Sequence, residues 1–148
     1  MKILVIEDNI LKREKIVNFV NETFVAEISE AASYNSGLSV ANSSDFDFLI
    51  LDMSMPTFDR SDSTQGGRFR SIAGKEIASK LRKSGKLPPF VVLTGYRDFS
   101  VNTENLSLDQ IHDLLTTFGE NYMGCILFNS AETMWQEKLK EIIGRFIC

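Results

Sequence analysis

This chain has no apolar run approaching the roughly 20 residues a membrane helix needs. Its N-terminus passes from Lys2 into "ILVI" and then acids, too short a stretch for a secretory signal. Basic charge is not in excess: the net charge is −4 and the pI is near 5.0, so nothing global suggests a nucleic-acid binder. The basic stretch "RFRSIAGKEIASKLRKSGK" reads as a solvated helix face rather than a nucleic-acid patch. Cysteine is scarce. Cys125 and Cys148 make no metal-ligand spacing, and both are expected as free thiols in a reducing, cytoplasmic compartment. Internal repeats and low-complexity tracts are absent. What remains is the profile of one soluble globular domain: 148 residues, 43% hydrophobic and 24% charged, long enough to bury a core.

The apolar residues that are present fall into strands and helices in alternation. "KILVIED", "FDFLILDM" and "LPPFVVLTGY" are short runs rich in branched residues, as strands buried on both faces would be. "VAEISEA" alternates like a less buried strand, and "GCILF" reads as the last one. Helices are predicted between them: "ILKREKIVNFVNETF" after an Asn9 cap, with Ile16, Phe19, Val20 and Thr23 on one face; the weak "SYNSGLSVANS"; "GKEIASKLRKSG", ended at Gly85; "SLDQIHDLLTTFG"; and "SAETMWQEKLKEIIGRF". Five such alternations predict an α/β fold: one domain over 1–148, a doubly wound five-stranded parallel sheet in the order 2-1-3-4-5. Two connections are too long for a minimal unit of this kind, at about 57–73 and about 97–106. Long loops in compact domains are usually functional or disordered.

Acids close two of the buried strands. Glu7 and Asp8 follow "ILVI", and Asp52 follows "LIL". In an open parallel sheet, ligands bind beyond the carboxyl ends of the strands, at the point where strand order reverses. In the order 2-1-3-4-5 these two strands flank that point, so the three carboxylates are expected within a few ångströms of one another. Such a cluster repels itself unless a proton or a cation joins it. Oxygen-only ligands suit Mg²⁺, with Asp8 and Asp52 holding the ion, Glu7 acting through a water, and a backbone carbonyl near Ser54 adding an oxygen. Asp52 then becomes a nucleophile able to take a phosphoryl group as an acyl phosphate. Thr94 closes the neighbouring strand, where its hydroxyl can bond a phosphoryl oxygen. Each acid taken singly also reads as a helix cap or loop residue, and Thr94 as a strand former.

"ILVIEDN", "LILDMSMP" and "VVLTGY", in that order, resemble the receiver domain of two-component response regulators across nearly the whole chain. The resemblance implies a flavodoxin- or CheY-like fold. Asp52 would be the phosphoacceptor, fed by a phosphohistidine on a sensor histidine kinase. Glu7 and Asp8 would be the metal-binding pair, with Mg²⁺ as the cofactor, and Thr94 the switch hydroxyl. It further implies a signalling domain rather than an enzyme, acting on an unknown downstream protein by protein–protein contact. The sequence leaves a homodimer open. The loop, the "ENYMGCILFNS" segment and Trp135 resemble a divergent set of stand-alone receivers.

Two departures from the receiver pattern stand out. Receivers usually carry a lysine after the fifth strand, but no lysine occurs here between Lys86 and Lys138. That place holds Phe128 or Asn129, depending on a one-residue register choice, and the usual aromatic switch residue is replaced by Cys125 or Ile126. The second departure is "TFDRSDSTQGGRFRSIA" between Pro56 and Gly74, whose Arg68 and Arg70 can in principle replace the lost charge. The missing lysine supports an alternative, a phosphorylation-independent pseudo-receiver acting as an interaction module. An aspartyl phosphatase is the third option, disfavoured because Ser54 stands two residues after Asp52, where a second acid is usual. His112 is read as a surface helix residue, and Trp135 as core.

Overall fold

The computed structural model describes residues 1–61, 65–95, 98–101 and 104–147. Cys148, Tyr96 and Arg97 lie outside the described residues.

The elements run β1 (Lys2–Ile6), α1 (Ile10–Thr23), β2 (Glu27–Ala31), α2 (Tyr34–Ser43), β3 (Phe48–Leu51), β4 (Met55–Pro56), β5 (Phe69–Arg70), α3 (Ala73–Lys83), β6 (Phe90–Thr94), β7 (Asp98–Val101), β8 (Glu104–Ser107), α4 (Leu108–Leu115), a 3₁₀ turn (Thr116–Asn121), β9 (Tyr122–Leu127) and α5 (Met134–Ile147). The main sheet is parallel, ordered β2-β1-β3-β6-β9. Numbered by its own strands it is 2-1-3-4-5, the order the alternation predicts.

Side-chain alternation along each strand supplies two cores. Ile3, Val5, Phe48, Ile50, Val91 and Leu93 face α1 and α5, where Ile16, Val20, Trp135, Leu139 and Ile143 meet them. Leu4, Ile6, Leu49, Leu51, Phe90 and Val92 face the other way, against Ala41, Ile77, Leu81, Ile111 and Leu115. This is why β1, β3 and β6 read as continuous apolar runs: neither face is left to water. Trp135 is buried between Phe19 and Phe128, with ring centroids at 5.5 and 5.0 Å, as expected for a core residue. His112 is exposed, its Nδ1 2.6 Å from the Tyr122 hydroxyl.

The helix α2 forms despite Gly37 and its serines. Ser33 and Ser36 make a reciprocal capping box. Gly37 packs closely there: a Cβ would come within 2.9 Å of the end of the Ile6 side chain, which would have to shift. β9 starts two residues before the expected "GCILF". Phe90 pairs with Tyr122 but Val92 with Cys125, so β9 carries an extra residue, and Gly124 takes it up at φ +137°. A bulge of this kind continues the strand through a glycine that reads as its boundary.

Neither long connection is a plain loop. Met55–Pro56 pairs antiparallel with Phe69–Arg70, extended by Thr57 N–H to the Arg68 carbonyl (3.0 Å) and Phe58 N–H to the Gly66 carbonyl (2.9 Å). The second connection contains the antiparallel hairpin β7–β8. These local pairings were hidden because β4 and β5 are two residues each, and the alternation in Asp98–Val101 runs for only four residues, with a single apolar residue, Leu106, in its partner strand. Among the described residues, no helix is long and apolar enough to cross a membrane.

Candidate functional site

The acids meet where the topology places them. β1 and β3 are hydrogen-bonded neighbours, with Ile6 opposite Leu51. Glu7, Asp8 and Asp52 follow directly, and each offers a carboxylate oxygen within 4.8 Å of those of the other two. Asp52 N–H donates to the Ile6 carbonyl (3.1 Å), which holds the two strand ends together beyond the sheet. One Asp52 oxygen accepts from Met53 N–H at 2.7 Å. The turn behind it is tight: Gly74 N–H donates to the Met53 carbonyl, and a Cβ at Gly74 would sit 2.6 Å from the Asp52 carbonyl oxygen. The Ser54 hydroxyl donates to the Ser71 carbonyl (2.6 Å), tying the same turn to the start of α3.

Glu7 and Asp52 are buried; Asp8 is partly open. Burial, and then the Asp52 charge beside it, push the Glu7 carboxyl up to about 8 against the opposing pull of a lysine. That lysine is Lys12, the residue the sequence reading missed. Its Nζ lies 2.5 Å from Glu7 Oε1, 3.2 Å from Asp52 Oδ2 and 2.7 Å from the Leu93 carbonyl oxygen. Burial alone would lower the Lys12 ammonium, but Asp52 and Glu7 together outweigh it and hold it above the usual lysine value. A signal for it was present. Lys12 lies one turn ahead of Ile16 and two ahead of Val20 on the buried face of α1, so a cation occupies an apolar stripe.

Phe128, rather than Asn129, stands at the acid pocket. Its N–H donates to the Thr94 carbonyl (2.7 Å), and the Lys12 ammonium lies 5.5 Å from its ring centroid. Asn129 instead accepts from Ala131 N–H. On β9, Cys125 packs on the α3 and α4 side of the sheet and Ile126 on the α1 and α5 side. Burial pushes the Cys125 thiol up to about 12.

The arginines suggested as replacements for the lost lysine lie elsewhere. Arg70 bonds Thr57 and Glu76 and stacks 4.1 Å over the Tyr34 ring, because its short strand points it toward α2 and α3. Arg68 is exposed and does not line the pocket. The ribbon instead sends Arg60 to Asp8 at 3.0 Å, while Asp59 accepts from the Ser36 hydroxyl. Together Asp8, Lys12, Asp52, Arg60, Gly95 and Phe128 border an open cavity of about 510 Å³. Thr94 is buried at the end of β6, immediately before the cavity-lining Gly95.

The donor set fits a divalent cation of the magnesium kind. It is all oxygen, and the carboxylates of Glu7, Asp8 and Asp52 all border the cavity. Arg60 competes for the same Asp8 carboxylate. Arg60→Ala is therefore expected to raise Mg²⁺ affinity about two- to fivefold, the scale of a half-exposed ion pair, as read by titration calorimetry. An unchanged affinity would show that Arg60 does not guard Asp8.

The response regulator TrrA of Thermotoga maritima, solved in complex with Mg²⁺ and a beryllium fluoride, superposes with a TM-score of 0.64 at 23% identity, covering 95% of this chain and 97% of that one. The chemotaxis response regulator CheY4 of Vibrio cholerae gives 0.65 at 20% identity, covering 98% and 97%. The chain has the receiver fold of response regulators. Among curated proteins, the receiver-fold chain is 27% identical over 143 residues to the Detocs response regulatory protein DtcB of Enterobacter cloacae, covering 94% of this chain and 95% of that protein. It is 25% identical to the uncharacterized protein y4jR of Sinorhizobium fredii over a similar span. No family model matches it.

Proposed function

We propose that this receiver-fold protein accepts a phosphoryl group on Asp52 from a phosphohistidine of a sensor histidine kinase and passes the change to a downstream protein by surface contact. The observation that carries the reading is the convergence of Glu7, Asp8 and Asp52 at the carboxyl ends of β1 and β3, beside an open cavity. Glu7, Asp8, Asp52 and the Ser54 backbone carbonyl would hold Mg²⁺, which when bound offsets negative charge on the transferring phosphoryl oxygens.

The chain's own residues do the rest. An Asp52 carboxylate oxygen forms the new O–P bond as the P–N bond of the phosphohistidine breaks, and the electron pair returns to the imidazole nitrogen. The main-chain bond from Met53 fixes the orientation of the attacking group. Thr94, at the end of the adjacent strand, supplies a hydroxyl to a phosphoryl oxygen and so reports the modification to the surface. The expected setting is the cytoplasm, without nucleic acid, and a homodimer is a further state this surface signalling allows.

A second reading has one observation in its favour. The Lys12 ammonium already spans Glu7 and Asp52, so part of the acid charge is neutralised from within, as a phosphorylation-independent interaction module would require. Beryllofluoride, a phosphoryl mimic, separates the two. Trp135 packs at a tilt against Phe128, which lines the pocket, and serves as the reporter. A saturable, Mg²⁺-dependent change in its fluorescence supports the phosphoacceptor, and no response from folded protein supports the module.

A further inference from the structure

Of the cations that border the cavity, Lys15 and Arg60 are exposed; Lys12 is the buried one among the described residues. A buried ammonium is costly unless it is paired, and this one is paired with the residue that would carry the phosphoryl group. Its third contact, the Leu93 carbonyl, is neutral and independent of the acids. That contact holds the ammonium at the pocket even when the carboxylates are engaged elsewhere. Phe128 closes the β9 side of the site with a ring that can bear on a cation but cannot donate to an anion.

We infer that Lys12, delivered from the first turn of α1, is the cation that binds the phosphoryl group on Asp52. The inference rests on the phosphoacceptor reading above. A phosphoryl group brings close to two negative charges and three acceptor oxygens to a carboxylate that Lys12 already touches. Lys12 can then exchange its bonds to Glu7 and Asp52 for charge-assisted bonds to the phosphoryl oxygens, while the Leu93 carbonyl keeps one of its three donors. Leu93 directly precedes Thr94, so the ammonium is anchored one residue from the proposed switch hydroxyl.

The test compares wild type with Lys12→Gln in two titrations, Mg²⁺ alone and beryllofluoride at saturating Mg²⁺, both read by Trp135 fluorescence. Removing Lys12 removes a cation that shares the acids with Mg²⁺. Lys12→Gln is therefore expected to bind Mg²⁺ at least as tightly as wild type. Its beryllofluoride midpoint should rise about 10- to 100-fold, the scale of a lost charge-assisted hydrogen bond. Weakening of both ligands would mark Lys12 as structural and overturn the inference, as would a beryllofluoride midpoint within about twofold of wild type. If wild type binds Mg²⁺ but not beryllofluoride, the phosphoacceptor reading itself fails, and this one with it. Should Lys12→Gln not fold, ¹⁹F–¹H Overhauser contacts in the unmodified protein decide. Contacts from bound beryllofluoride to the Lys12 side chain are expected, and their absence, with contacts to neighbouring amides present, contradicts the assignment.

Discussion

Asp52→Asn is expected to abolish the Mg²⁺-dependent beryllofluoride response while leaving the fold intact. The substitution is nearly isosteric, and the amide oxygen can keep the bond from Met53 N–H. What it removes is the charge that, with Glu7 and Asp8, attracts the cation, together with the oxygen that would form the bond to phosphorus. Far-ultraviolet circular dichroism should overlay with wild type, and Trp135 fluorescence should no longer change on adding beryllofluoride. A retained response of wild-type amplitude would place the acceptor elsewhere.

Phe90→Ala is expected to do the reverse. Phe90 is fully buried at the start of β6, with Phe118 edge-on at 5.6 Å and Tyr122 at the same centroid distance. Truncating a buried aromatic costs about 3–5 kcal/mol in lost transfer energy and residual cavity. For a domain of this size that lowers Tm by roughly 6–20 °C. Phe90 lies at the far end of β6 from Thr94, so the beryllofluoride midpoint of the folded protein should stay put. Thermal melts monitored by circular dichroism check the first part and the fluorescence titration the second. A loss below about 1 kcal/mol would mean the neighbouring rings collapse into the space.

The contrast between these residues shows what the sequence carried and what it did not. β1, β3 and β6 were legible because burial on both faces leaves an uninterrupted apolar run, and the acids were legible because they end those runs. Strand order then sufficed to bring Glu7, Asp8 and Asp52 together, since adjacent parallel strands end at the same edge. Lys12 was overlooked because a lysine in a charged helix is normally read as solvated. Only its position on the Ile16–Val20 face marks it, and only the structure shows that this face leads into the pocket. The ribbon that presents Arg60 was illegible for another reason. Its pairing is held by main-chain bonds such as Thr57 to Arg68, which any side chain tolerates, so nothing in the sequence singled out Arg60, and Arg68 and Arg70 were named instead. Gly124 gave a true signal that reads two ways, as a strand boundary or as a bulge within one.

A phosphoryl group is expected on Asp52 and on no other residue. Wild-type protein incubated with acetyl phosphate and Mg²⁺, then examined by intact-mass and peptide mass spectrometry, should gain a single phosphoryl group on the peptide containing Asp52, and none when the metal is chelated. Folded protein that gains no mass, or gains it on another residue, would contradict it.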